Sequence, residues 1–398
     1  MRRSTSLYTL GLLIASTSSS FATTIEQLVE QWSVTEGNFT FPMPSQSLMK
    51  REDAASYLYS AWDLSGRISW GTSDISFVSD PAGSSNSTNA RRQVASTTTT
   101  SYTHHHHSSS SVLSPSSTAA AASETSSSAS SSTSSSSTSS SSSSSSGDTV
   151  LRIEYPQGSY SNNTGGTQFN ANPLNGTFER MILAYDIYFS SDYQWVQGGK
   201  LPGLKGGPET FGCSGGSETD GTGCFSTRLM WRTNGMGEVY AYIPTMSIKN
   251  FCSDTGIICN SDYGTSLDRG SFSFVSGQWQ TIYLVVVLNE VGVANGVVQL
   301  YYNGVQAMNF QNLELRSASS LAGINGMFFS TFFGGSDSTW ATPTEQFTYF
   351  KNIQLYAGSG ESTASGQKIG SASSISSRFS MLPVVTAVVA GCFLTLFL

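Results

Sequence analysis

Between Cys224 and Tyr242 the chain reads CFSTRLMWRTNGMGEVYAY. Strand side chains alternate sides with a period of two. Phe225, Thr227, Leu229 and Trp231 therefore share one face, and Ser226, Arg228, Met230 and Arg232 share the other. In the second half Val239, Ala241 and Ile243 oppose Glu238, Tyr240 and Tyr242. The first set is core. The second holds arginines, tyrosines and a serine where a solvated sheet face would carry Thr, Lys and Glu. Its chemistry is bounded by what is missing elsewhere: all 4 histidines lie together at 104–107, inside a Ser/Thr tract. Ser-His-Asp and Cys-His sites, His-ligated zinc and a His general base are excluded from the folded part. Tyr, Lys, Arg, Asp or Glu must do any reaction there. Without a reaction, such a row is a sugar-stacking or protein-contact surface.

For these side chains to meet, the two strands must pair in the right parity, because directly opposed residues point the same way. Arg228 opposite Tyr240 or Tyr242 requires a loop with an odd number of residues. A two-residue Asn-Gly turn would put Arg228 opposite Ala241 and mix the faces, whereas the longer loop implied by TNGMG does not. Two further segments carry candidates. WVQGGKLPGLKGG brings Lys200 and Lys205 on a glycine-rich stretch that does not read as a regular strand. FFSTFFGGSDSTW adds an aromatic strand, a Gly-Gly turn and Trp340.

The supporting elements read as all-β. Short apolar runs begin at Val150, Met181, Thr281, Val297, Val305, Met327 and Phe347, separated by turn signals such as Asn303-Gly304. They predict a jelly-roll sandwich of two antiparallel sheets. Residues 66–82 read as its first part and 148–358 as its main part. Between them, 83–147 is Ser/Thr-rich and cannot bury enough apolar surface to stay ordered, so it is read as a disordered insertion. An N-terminal segment, 23–65, is too short for a core of its own.

The ends predict export. Residues 1–22 have the basic start, apolar run and small-residue end of a signal peptide. Residues 359–380 form a polar spacer with an anchor site at Gly370, and 381–398 are an uncharged apolar tail, the order of a glycosylphosphatidylinositol signal. The outer membrane leaflet, reached through a lipid anchor, is thus an expected partner. Cys213, Cys224, Cys252 and Cys259 are even in number, and local pairing, 213 with 224 and 252 with 259, closes two Gly/Ser/Asp-rich loops. Their spacing does not suit zinc. Sequons stand at Asn38, Asn86, Asn162 and Asn175.

GGKLPG, CFSTRLMWR, EVYAY and FFSTFFGGSD, in that order, resemble the fungal branch of polysaccharide lyase family 14, which includes alginate and glucuronan lyases on a β-jelly roll. The resemblance covers 68–358 apart from the Ser tract. The long insertion and the anchor signal depart from the family. The family's functional lysine, Ser-x-Arg and Tyr-x-Tyr fall on Lys200, on Ser226 and Arg228, and on Tyr240 and Tyr242. The resemblance implies β-elimination from an acidic polysaccharide. Arg228 or Lys200 would neutralise the uronate carboxylate, and a tyrosinate would serve as base, with Tyr240 as base or acid and Tyr242 as its partner. Ser226 would orient the substrate, with Lys205, Arg232 and Trp340 as further contacts. No cofactor, metal or nucleic acid is implied, and a monomer is expected. Two rivals stay open. A glycoside hydrolase needs paired carboxylates, and Glu238 has no evident carboxylate partner. A non-catalytic carbohydrate-binding or adhesive wall protein suits the Ser stalk, the anchor signal and the 12% aromatic content.

Overall fold

Apolar residues at every second position make one face of each strand sticky, and two such sheets close on each other. The computed structural model describes residues 22–64, 68–83, 149–162, 164–208 and 212–369. In it a 7-stranded antiparallel sheet runs Thr167–Ala171, Ile324–Phe333, Gly198–Gly206, Phe225–Arg232, Gly237–Tyr242, Thr265–Leu267, Ile257–Ile258. It packs on an 8-stranded sheet centred on Arg180–Phe189, Trp279–Val287 and Gln346–Gly358. Phe225, Leu229, Trp231 and Phe329 from the first sheet meet Leu183, Ile187, Leu284 and Phe350 from the second in one buried core. The jelly-roll sandwich expected from the alternation is what forms.

Strand Ile75–Ser79 pairs antiparallel with Thr149–Tyr155, Ser79 opposite Thr149, so the chain leaves and re-enters the sheet at one edge. Apart from Gly83, the Ser/Thr tract lies outside the described residues. So do Asn86, the predicted signal segment up to Phe21, Gly370 and the apolar tail. No helix among the described residues is long and apolar enough to cross a membrane.

The N-terminal segment contains two helices that the sequence reading did not assign. Ile25–Gln31 starts at a capping box between Thr24 and Gln27. It lays the buried Leu28 against Ile182, Val285 and Val297 on the outer face of the larger sheet. Strand Gly37–Thr40 joins that sheet beside Gln346–Gly358. Helix Arg51–Ala61 then sends Leu58 and Trp62 into the main core.

The glycine-rich segment corrects the sequence reading. Gly198–Gly206 is a strand near the middle of the smaller sheet. Its glycines mark close approach rather than looseness. A Cβ on Gly199 would come within 2.1 Å of the Trp231 ring, and one on Gly203 within 2.0 Å of the Thr227 carbonyl. Pro202, which has no N–H to donate, falls where the pairing slips between Leu201 and Gly203.

Candidate active site

The hairpin pairs Arg228 with Tyr240, Ser226 with Tyr242 and Met230 with Glu238, the parity that keeps the polar face intact. The connection is the longer loop: the Arg232 amide donates to the Met236 carbonyl at 2.7 Å. Asn234 and Gly235 take φ of 61° and 77° inside it, which Asn and Gly tolerate. On the neighbouring strand Lys200 lies directly opposite Met230. Lys200, Arg228, Arg232, Tyr240 and Tyr242 thus reach one cleft of about 610 Å³ on the face away from the core.

Arg228 is the group at odds with its surroundings. It is 1% exposed and has no carboxylate partner among the described residues. Its Nη1 donates to Ser330 Oγ at 3.1 Å, and Ser330 Oγ donates in turn to Gln168 Oε1 at 3.0 Å. Its Nε has no partner, and its guanidinium lies 4.6 Å from the Phe328 ring centre. Burial pushes its pKa down to about 10, so it still carries its charge at neutral pH. A buried, uncompensated guanidinium at a cleft is a seat for a carboxylate.

Lys200 stands 3.9 Å above the Tyr240 ring centre with its Nζ 3.0 Å from Met230 Sδ. Burial, reinforced by the positive charges of Arg228 and Arg232, holds its ammonium well below the ordinary lysine range. Burial, with Tyr242 adding to it, pushes the Tyr240 phenol above its ordinary range. Both shifts favour the neutral forms, the amine of Lys200 and the phenol of Tyr240, and the second runs against the expected tyrosinate. The Tyr242 hydroxyl accepts from the Gly216 amide at 3.0 Å and is tied to the loop beside it.

That loop is pinned by Cys213–Cys224, and Cys252–Cys259 pins a second lining segment. Both bonds match the local pairing read from the sequence. Ser214 and Gly215 line the cleft on one side, Ile258, Cys259 and Asn260 on another. Trp340 forms a further wall, packed with Met230, Tyr240 and Tyr242. It lies on Gly335, whose φ is +79° and whose Cβ would fall 2.0 Å from the indole Cγ.

Two of the assigned residues lie off the cleft surface. Ser226 is buried, donates to the Cys213 carbonyl at 2.6 Å, where it braces the disulfide loop, and is not among the cleft-lining residues. Lys205, opposite Ser226, is buried over the Phe328 ring at 5.6 Å and is not among the cleft-lining residues. Period two counts sides but does not say which residues on a side are covered by a loop.

Gln168, Phe332, Tyr263 and Arg269 are among the cleft residues that the sequence reading did not assign. Phe332 was recoverable, since 328, 330 and 332 alternate onto one face of FFSTFFGGSDSTW. Arg269 was not, because it follows a strand of only 3 residues, Thr265–Leu267. Among the described residues the lining contains no Asp or Glu, which removes the carboxylate pair a glycoside hydrolase needs. Glu238 is fully buried between Arg232 and Arg269. Nor do the described residues gather three or more His, Cys, Asp or Glu into a group fit for a metal. Asn38, Asn162 and Asn175 are exposed, Asn162 at the cleft rim.

A family model described as polysaccharide lyase 14 matches residues 143–353, more than half of the chain. Among solved structures, a marine PL-14 alginate lyase from Aplysia kurodai is similar at 41% identity over 52% of this chain and 83% of that one, TM-score 0.48. An alginate lyase from a Chlorella virus is similar at 20% identity, covering 53% and 86%, TM-score 0.45. An endo-β-1,4-glucuronan lyase from the fungus Trichoderma reesei is similar at 12% identity, covering 53% and 82%, TM-score 0.36. No curated protein matches. The match over 143–353 places the chain in polysaccharide lyase family 14: it is a polysaccharide lyase.

Proposed function

We propose that this lyase cleaves a 4-linked uronate polysaccharide by β-elimination at a cell surface. The observation that carries the substrate class is Arg228, a buried cation with no anion of its own. A uronate carboxylate seated there loses part of its charge, which makes the adjacent C5 proton more acidic and stabilises the enolate-like intermediate. Lys200, whose ammonium is disfavoured by burial and by the nearby Arg228 and Arg232 charges, takes the C5 proton in its neutral form. The electron pair left at C5 forms the C4–C5 double bond as the C4–O bond breaks, and Tyr240 gives its phenolic proton to the departing sugar oxygen. The ammonium then returns a proton to solvent and Tyr240 regains one. Trp340 offers a ring face to the sugar chain. The alginate and glucuronan of the similar lyases are the first polymers to try.

Incubation with a panel of polyuronates should raise ultraviolet absorbance as the unsaturated uronate forms. A protein that binds these polymers yet yields no such product at any pH would instead be a carbohydrate-binding protein. The surface location rests on the signal and anchor patterns of 1–22 and 359–398. Phospholipase treatment of cells should release the protein, and truncation before Met381 should send it to the medium.

A further inference from the structure

Among the described residues Glu238 is the acid buried beneath the cleft, and both of its oxygens are occupied. Oε1 accepts from Arg232 Nε at 2.8 Å and lies 2.7 Å from its Nη2 in an ion pair. Oε2 accepts from Ser266 Oγ and Arg269 Nε, each at 2.6 Å. One carboxylate against two guanidiniums leaves net positive charge. The layering aims that charge at the cleft: the Glu238 side chain is 0% exposed, those of Arg232 and Arg269 are 14% and 33% exposed, and both arginines line the opening. Among the described residues only the Nε of Arg269 is hydrogen-bonded, so its two terminal nitrogens form an open fork.

The register places this fork relative to the reacting groups. Lys200 faces Met230, with Arg228 two residues away along the strand in one direction and Arg232 two in the other. Each step of two residues is about 7 Å. The Lys200–Tyr240 pair therefore stands between two cation centres, Arg228 on the side of Phe328 and Tyr242, and Arg232 beside Tyr240 at 5.7 Å from its ring.

We propose that Arg269, with Arg232, forms a second carboxylate subsite that takes the uronate unit next to the one seated on Arg228. This rests on the lyase reading above. It adds that the cleft selects polymers carrying carboxylates on successive units over those in which uronates are separated by neutral sugars. Glu238 is then a positioning residue. It restrains both guanidiniums before substrate arrives, which lowers the ordering cost of binding, and its burial keeps it from competing with the ligand.

The test compares a homopolyuronate with the same polymer after partial reduction of its carboxyl groups to alcohols. Arg269→Gln should raise KM for the native polymer about tenfold, because the neutral amide cannot make the charge-assisted bond to the carboxylate. The effect on the reduced polymer should be clearly smaller. Arg269→Lys should recover part of the affinity. Equal losses on the two polymers, or no loss on the native one, would overturn the subsite. Affinity electrophoresis of the same proteins in the same polymers separates this inference from the reaction. Retardation by native polymer that weakens in Arg269→Gln, in a wild type that makes no unsaturated product, would keep the subsite and sink the lyase reading. Product formation with retardation indifferent to Arg269 would do the reverse.

Discussion

The two sheets each turn a polar, aromatic face outward, and cations on the two faces meet different surroundings. On the larger sheet Lys351 lies 4.1 Å over the Trp279 ring and is paired with Asp80 at 2.7 Å. Arg152 lies 4.8 Å over Phe347 and donates to Ser76 at 3.0 Å. Part of the same face is sealed by the helix Ile25–Gln31. On the smaller sheet Arg228 also lies over a ring, Phe328, but among the described residues no carboxylate answers it. The chemistry of the residues is similar on both faces. What sets Arg228 apart is that it is buried and without a carboxylate among the described residues, whereas Lys351 has Asp80, Arg152 is only half-buried, and Arg232 on Arg228's own strand has Glu238. A compensated cation serves the fold, while a buried uncompensated one costs stability and is kept for a ligand.

Removing the base should have the largest effect. Lys200→Met should lower kcat by roughly 10²–10⁴ while retaining polymer binding, and Tyr240→Phe should fall in the same range. The pH profile tells which of the two is the base. The Lys200 pKa is lowered, chiefly by burial, so its neutral form exists above a pH below the ordinary lysine range. Activity should rise as pH climbs through that point and then level off. A tyrosinate base would demand the opposite placement, because burial raises the Tyr240 phenol. Activity still climbing beyond the ordinary phenol range would reinstate the tyrosinate and remove Lys200 from the role.

The comparison of faces is broken or sharpened by one pair of variants. Arg228→Met should cost at least about 100-fold in kcat/KM, since the bond to the carboxylate acts in both ground and transition states. Its melting temperature should hold or rise, because an unpaired buried charge is replaced by an apolar chain. Lys351→Met on the other face should lose up to about 1 kcal/mol of stability and leave turnover alone. If Arg228→Met were the destabilised variant of the two, the contrast between the faces would be wrong.

Loop bracing comes next. Replacing Cys213 and Cys224 by Ser should cost about 2–3 kcal/mol by the chain-entropy estimate for a short loop, read by denaturant unfolding. Activity should fall too, because the Gly216 amide that holds Tyr242 rides on that loop. The smallest effect belongs to Ser226→Ala. It removes one hydrogen bond to the Cys213 carbonyl, worth about 1 kcal/mol of stability, with kcat within about twofold. A hundredfold drop in kcat would instead return Ser226 to the substrate.

Much of this site was legible before any coordinates. Alternation separated Leu229 and Trp231 from Arg228 and Arg232, and loop parity set Arg228 opposite Tyr240, because both follow from the two-residue repeat of an extended chain. The disulfide partners were legible from short loops rich in turn formers. These are local properties, decided within a few residues. The rest depended on neighbours distant in sequence. Gly198–Gly206 is a strand because Trp231 and the Thr227 carbonyl leave no room for side chains there. Ser226 and Lys205 are closed off by what covers them, and Arg269 enters the cleft only through the carboxylate of Glu238. The choice of base was the least accessible of all. The sequence reading gave the base role to a tyrosinate and gave Lys200 only the carboxylate; the downward push on the Lys200 ammonium comes from burial and from Arg228 and Arg232 converging beside the amine, and only the packed sheet brings those together.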